Sequence, residues 1–179
     1  FLHPKLGIAY SVPAGFDTEN NKDAVLSSGP GEIAIRFDAV ELPGGASLDD
    51  YVKSGWVAGL DEASVRPAIV AGTEAVTARA QADKWQFSIT VLRLNGKVFR
   101  FLTAAPIGNP SLDTVANSVT GSFRLLTNDE RSSVKPARIR IVTAKAGETA
   151  GSLASRMSGV DRKLDLFRIL NGLTAGQSV

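Results

Sequence analysis

The sequence predicts an α+β protein, with a mostly antiparallel sheet flanked by helices and then a small β-α-α-β unit. Three observations predict it. Apolar and polar residues alternate over several runs bounded by Gly, Pro and Asn turn signals. Two segments repeat apolar residues at helical spacing behind good caps. Between the patterned regions, 127–136 (TNDERSSVKP) turns polar and charged, which places a boundary there. The expected organisation is an antiparallel sandwich domain at 1–127, a linker at 128–137 and a small module at 138–179.

Leu6–Val12 alternates towards the turn Pro13-Ala14-Gly15. Glu32–Leu42 follows, with Ile33, Ile35 and Phe37 against Ala34, Arg36 and Asp38, the pattern of a half-buried strand ended by Pro43-Gly44-Gly45. Ser47 is a good N-cap with Asp50 three residues on, and Leu48, Tyr51, Val52, Gly55, Trp56 and Gly59 share one face. That predicts a helix near 47–60. Next come Ala68–Ala82, with a break at Gly72, then Lys84–Leu94 and Lys97–Ala105. The last two are joined by Asn95-Gly96, whose tolerance of positive φ suits a type I′ hairpin. Asn109-Pro110 starts a second helix near 110–122, carrying Leu112, Val115, Ala116 and Val119. Beyond the linker, Arg138–Ala144 alternates as a strand. A helix with Leu153, Ala154 and Met157 follows Gly147-Glu148-Thr149. A second holds Leu164, Phe167, Ile169 and Leu170 and ends at Asn171-Gly172, and a turn at 175–179 enters the last strand.

Of the 179 residues 44% are hydrophobic and 21% charged, enough to bury a core. No run reaches the roughly 18 apolar residues of a membrane span. The chain starts at Phe1 rather than Met and stops at Val179 inside a pattern, so both ends are expected to be cut. Cysteine is absent, which removes thiolate ligands and thiol nucleophiles. The net charge of +2 divides into +4 for 138–179 (seven Lys/Arg, three Asp/Glu) and −2 before it (thirteen against fifteen). The basic tail lacks interleaved aromatics, so no nucleic-acid partner is expected.

No active site assembles from the residue types. His3 is the only histidine, whereas a zinc-protease helix needs two at i and i+4 with a Glu between. A Ser-His-Asp triad would have to use that same residue beside Pro4. Gly29-Pro30-Gly31 mimics a dinucleotide motif but opens a strand rather than a helix, and Pro30 has no N–H to offer, so it is a turn. Asp49/Asp50 and Asp61/Glu62 are adjacent pairs, which diverge instead of converging on a substrate. Tyr51, Trp56 and Trp85 could line a ligand pocket, but their spacing fits core positions better. No catalytic or metal-binding residue is assigned.

The tail resembles a LysM module at Gly147, Thr149, Leu153, Ala154, Leu170, Asn171, Gly172, Leu173, Gly176, Gln177 and Val179. Glu148 stands where that family usually has Asp. The closing strand stops at Val179, which leaves the module open to being incomplete. The resemblance implies a shallow N-acetylglucosamine groove at Gly147, Glu148, Thr149, Gly172, Leu173 and Thr174. Neither loop offers an aromatic ring to stack on a sugar, so weak or absent glycan binding is expected. Phe1–Thr127 is similar to the Mog1/PsbP-like sandwich, through HPKLGIAYSVPAGF and a helix ending in SFRLLT.

Taken in order, HPKLGIAYSVPAGF, LDDYVKSGW, VFRF, SFRLLT and RIRIVTAKAGET resemble the C-terminal half of bacterial HExxH zinc metallopeptidases. That superfamily includes the prenyl-protein proteases and the TPR-bearing periplasmic proteases. The resemblance implies a non-catalytic accessory region in the periplasm or cell envelope, serving substrate positioning, docking or cell-wall tethering. Its implied partners are its own N-terminal peptidase domain and peptidoglycan or a protein substrate. It implies no cofactor in this chain and zinc in the N-terminal catalytic domain. The alternative is a stand-alone envelope protein that binds glycan or a protein partner.

Overall fold

The computed structural model describes residues 1–42, 46–134, 138–177 and 179. Pro43-Gly44-Gly45, expected to end a strand, lies outside the described residues. The chain divides into Phe1–Ser133 and Val134–Val179.

The first unit is built on seven strands: β3 (Asp17–Asn20), β4 (Val25–Gly29), β5 (Ile33–Glu41), β6 (Leu60–Val70), β7 (Thr73–Ala82), β8 (Trp85–Leu94) and β9 (Lys97–Pro106). They lie in the order β3-β4-β5-β9-β8-β7-β6, and every neighbouring pair is antiparallel. Sequential hairpins build both halves, and the one long connection, β5 to β6, carries α1 (Leu48–Lys53). The expected α+β class with a mostly antiparallel sheet is correct. At the β8–β9 turn Asn95 and Gly96 have φ of 51° and 76°, as a type I′ turn demands.

Alternation sends two sets of side chains to two covered faces. On one, Phe37 and Phe101 oppose each other in register with ring centroids 4.7 Å apart. They pack with Tyr10, Phe99 and Phe123 beneath α2 (Leu112–Gly121). A small sheet of β1 (Leu2–His3), β2 (Ile8–Ala9) and β10 (Arg124–Leu125) adds Ile8 to this core. On the other face Leu48 and Val52 of α1 pack on Ile89, Val91 and Val98.

Several boundaries differ from expectation. The first helix ends at Lys53 rather than near residue 60, because Gly55 and Gly59 take φ of 88° and 69°, outside helical geometry. Residues 54–59 form a loop instead, and β6 opens at Leu60. Strands β3 and β4 were not expected: Asp17–Asn20 is wholly exposed and polar at the sheet edge, so it has no apolar period. The expected half-burial of β5 holds only in its first half, since Asp38 on the polar side is also buried. The second helix begins at Leu112, two residues after Pro110, with Asn109 Oδ1 accepting the Ser111 N–H at 2.9 Å. Of the Gly29-Pro30-Gly31 segment, Gly29 ends β4 and the other two open a single 3-10 turn, Pro30–Glu32, before β5.

The expected linker at 128–137 opens with a helix, α3 (Asn128–Ser133), held to the first unit. Arg124 donates to both Glu130 carboxylate oxygens at 2.8 and 2.7 Å, and the Thr127 N–H donates to one of them at 2.9 Å. The Arg124 bonds, then that N–H, lower the Glu130 pKa to about 2. A depressed folded-state pKa gives stability that is complete above the unfolded value and lost as pH falls through the folded one. The stability gap between this protein and Glu130→Gln should therefore be full above pH 4.5 and close towards pH 2. Urea midpoints across that range test it; a gap unchanged at pH 2 would rule out the pairing.

The second unit holds α4 (Ala150–Ser155) and α5 (Lys163–Asn171). Thr149 caps α4 through a reciprocal box with Ser152, and Gly172 at φ 64° ends α5. The expected strand at Arg138–Ala144 is not formed. Its residues pair with no other strand, and Ile139 and Ile141 are 80% and 95% exposed. Of 175–179, expected to be a turn entering another strand, Ser178 lies outside the described residues and the others are turn or irregular. Among the described residues the second unit shows its two expected helices and no strand, and Ile169 is exposed.

Candidate binding pocket

The polar side of β5 and β9 carries the chemistry of the first unit. Register places Asp38 directly opposite Arg100 and Arg36 opposite Leu102. Arg100 grips Asp38 with two bonds, Nε to Oδ1 at 2.5 Å and Nη2 to Oδ2 at 2.7 Å. Arg36 Nε adds a third at 3.0 Å to Oδ2. The Asp38 side chain is 3% exposed, Arg100 18% and Arg36 47%. Asp38 is therefore an interior carboxylate shared by two guanidinium groups, leaving one positive charge over. The Asp38 bonds raise the Arg100 pKa, outweighing desolvation, so Arg100 stays charged.

The 54–59 loop after α1 completes the cluster. Arg100 Nη1 donates to the Tyr51 hydroxyl at 2.8 Å, and its Cζ lies 4.8 Å from the Trp56 ring centroid. The Tyr51 and Trp56 rings stack at 5.7 Å and 22°. Gly59 anchors the loop: its carbonyl accepts the Gln81 N–H at 2.9 Å, and a Cβ at Gly59 would fall 1.9 Å from the Gln81 oxygen. Gly59, expected on a helix face, instead makes a close approach to the end of β7.

A cavity of about 330 Å³ lies between this loop and the sheet. Arg36, Arg100 and Trp56 line one part, and Phe87, Leu102 and Ala82 the apolar part. Trp56 Nε1 is buried without an acceptor among the described residues. Such a group costs about 1–3 kcal/mol. Trp56 is thus a lining residue of a pocket, where its spacing had argued for core; Trp85 does not line it. A larger groove of about 490 Å³ lies between β6–β8 and α2. Its lining is mainly hydroxyls and small residues, and its one charged residue, Arg79, already pairs with Asp113 at 2.6 Å. The smaller cavity joins unneutralised charge to an apolar wall and is the better binding site.

In the second unit the polar groups of the six residues expected to form a glycan groove are engaged within their own turns and helix ends. Gly147 (φ 85°) forms the turn before α4. Glu148 accepts the Lys145 N–H at 2.8 Å and pairs with Arg156. The Thr149 hydroxyl accepts the Ser152 N–H at 3.1 Å. Gly172 caps α5, the Leu173 N–H donates to Arg168 O at 2.9 Å, and Thr174 donates its N–H and hydroxyl to Gln177 Oε1.

Zinc is implied by the metallopeptidase resemblance for another domain, and no donor set for it gathers among the described residues of this one. His3 Nδ1 already accepts the Leu6 N–H at 3.1 Å, and no three His, Cys, Asp or Glu residues gather among the described residues. No described helix is long and apolar enough to cross a membrane.

A seven-stranded antiparallel sheet covered on both faces makes the first unit a PsbP-like α+β sandwich. It is similar to the solved structure of cyanobacterial PsbP (CyanoP) from Synechocystis sp. PCC 6803, with TM-score 0.54, 16% identity, and 70% of this chain and 90% of that one covered. A Bacteroides thetaiotaomicron VPI-5482 protein gives TM-score 0.55 and 12% identity over 73% of this chain and 49% of that one, so this chain spans about half that protein's length. LpqN, involved in cell envelope biogenesis of Mycobacterium tuberculosis, gives 0.48 and 14% over 67% and 83%. At these identities the likeness defines the fold alone. No known family profile and no curated protein sequence matches the chain.

Proposed function

We propose that this chain is a binding region, itself non-catalytic, that positions or docks a protein for a zinc-dependent metallopeptidase of the cell envelope. The observation that carries the binding half is the Trp56 cavity, a charged and apolar pocket held by a buried Arg–Asp cluster. A buried carboxylate gripped by two arginines fixes the pocket wall before any ligand arrives, and such pre-ordering lowers the cost of binding. The peptidase half is supported by the order of HPKLGIAYSVPAGF, LDDYVKSGW, VFRF and SFRLLT along the chain. On this reading the catalytic zinc is held by the peptidase domain of the same polypeptide. The second unit is a LysM-like spacer or docking surface.

The purified 179-residue chain is expected to cleave no casein and to bind no stoichiometric zinc. One zinc per chain, lost in His3→Ala, would overturn that. The coding sequence upstream tests the parentage: an in-frame HExxH within a few hundred codons supports it. A complete upstream frame without that motif would favour a stand-alone envelope binding protein.

A further inference from the structure

We infer that the Trp56 cavity takes the C-terminal residue of a peptide chain that ends in a large apolar side chain, its α-carboxylate on the arginines. This rests on reading the first unit as a binding domain and goes further by naming the ligand chemistry.

Charge selects the head group. Asp38 neutralises one of the two guanidinium groups, and Arg36 spends only its Nε on it. Among the described residues no other partner occupies Arg36, and its side chain is 47% exposed. Its two terminal nitrogens therefore present the forked donor geometry that fits a carboxylate. Trp56, which lines the same cavity, has a buried Nε1–H with no acceptor among the described residues, and a turn of the ring would make it a further donor.

Spacing selects the C-terminus over an acidic side chain. Arg36 stands directly across from Leu102, and Phe87 lies on the neighbouring strand β8. Cross-strand neighbours are about 5 Å apart, so Arg36 is one strand step from the apolar Leu102, while Phe87, paired with Ala104, lies a second step away and to one side. A terminal residue holds its carboxylate and its own side chain within that reach. An internal acidic residue and an apolar residue on the same side of an extended peptide are about 7 Å apart, two residues along. The volume of about 330 Å³ is that of a small ligand site and suits one large residue.

The test uses the full chain carrying Trp85→Phe, which leaves Trp56 as the sole tryptophan. The probes are N-acetyl-phenylalanine, N-acetyl-phenylalanine amide and the internal-acid peptide acetyl-Phe-Ala-Glu amide, with affinity read by Trp56 fluorescence and calorimetry. The free acid is expected to bind saturably, and the amide to bind about tenfold or more weakly, the worth of a charged hydrogen bond. Arg36→Ala should lose a similar factor, with Arg36→Lys in between. Arg100 still holds Asp38 in these variants, so they should fold, and circular dichroism checks that. Equal binding of acid and amide, or none by either, overturns the ligand class while leaving the accessory-region reading to its upstream-sequence test. Binding of the internal-acid peptide as tight as the free acid overturns the choice of C-terminus.

Discussion

Asp38→Ala should lower the unfolding free energy by about 3–5 kcal/mol, the usual cost of leaving a buried ionic partner uncompensated. The side chain that suffers is Arg100, 18% exposed and bound to Asp38 through two of its nitrogens. Residual solvent at Arg100 puts the expected value near the low end, about 3 kcal/mol. Arg36 loses a partner too, but at 47% exposed it is solvated and adds little. The double variant Asp38→Leu/Arg100→Met should recover most of the loss, because it removes both desolvation costs together. It should also release Trp56, whose ring is covered by the Arg100 guanidinium. Urea unfolding of the three proteins measures the cycle. A loss under about 1 kcal/mol for Asp38→Ala would place the pair among ordinary surface bridges.

Gly59→Ala is the second large effect. The new methyl group would meet backbone, the Gln81 carbonyl oxygen at 1.9 Å and its carbon at 2.8 Å, at a φ of 69°. Side-chain ends can move aside; a paired strand end cannot without breaking the bond from the Gln81 N–H to Gly59 O. Overpacking and left-handed strain together should cost about 3 kcal/mol or more. The loop that lifts away carries Trp56, so binding at the cavity should fall with stability. Gly96→Ala is the control: its φ is 76° but nothing lies within 4 Å, so only the backbone term of about 1 kcal/mol remains. Similar losses at both positions would mean that the close approach at Gly59 relaxes freely.

The hairpins were legible because their signals are local. Asn95-Gly96 names its own turn, and the period-2 runs of β8 and β9 fix which side chains share a face. What escaped depends on partners distant in sequence. Asp38 read as a solvent-side residue because alternation reports only the majority of a face. Its burial follows from pairing with Arg100, 62 residues away. Trp56 fitted a helix face, but the helix ends at Lys53 and the left-handed Gly55 turns the chain away before it. The polar strand β3 gives no apolar period at all, and Arg138–Ala144 has the alternation of a strand but forms none among the described residues. The available signal for the pocket was compositional: Arg36, Asp38 and Arg100 alternate with apolar residues on strands that both face a tryptophan-bearing loop.

The account turns on the Trp56 cavity being the place where the first unit binds. The indole N–H resonances of the 179-residue chain report on it directly, since there are only two tryptophans. Titration with N-acetyl-phenylalanine, followed in proton–nitrogen correlation spectra, should move the Trp56 indole signal saturably downfield as its unpaired N–H gains an acceptor. The Arg36 and Val57 amides should move with it and the Trp85 indole should stay. A Trp56 signal that holds still at saturating ligand, with shifts gathered along the groove at Thr77, Ser88 and Asn117, would contradict the account and move the binding site to the other face.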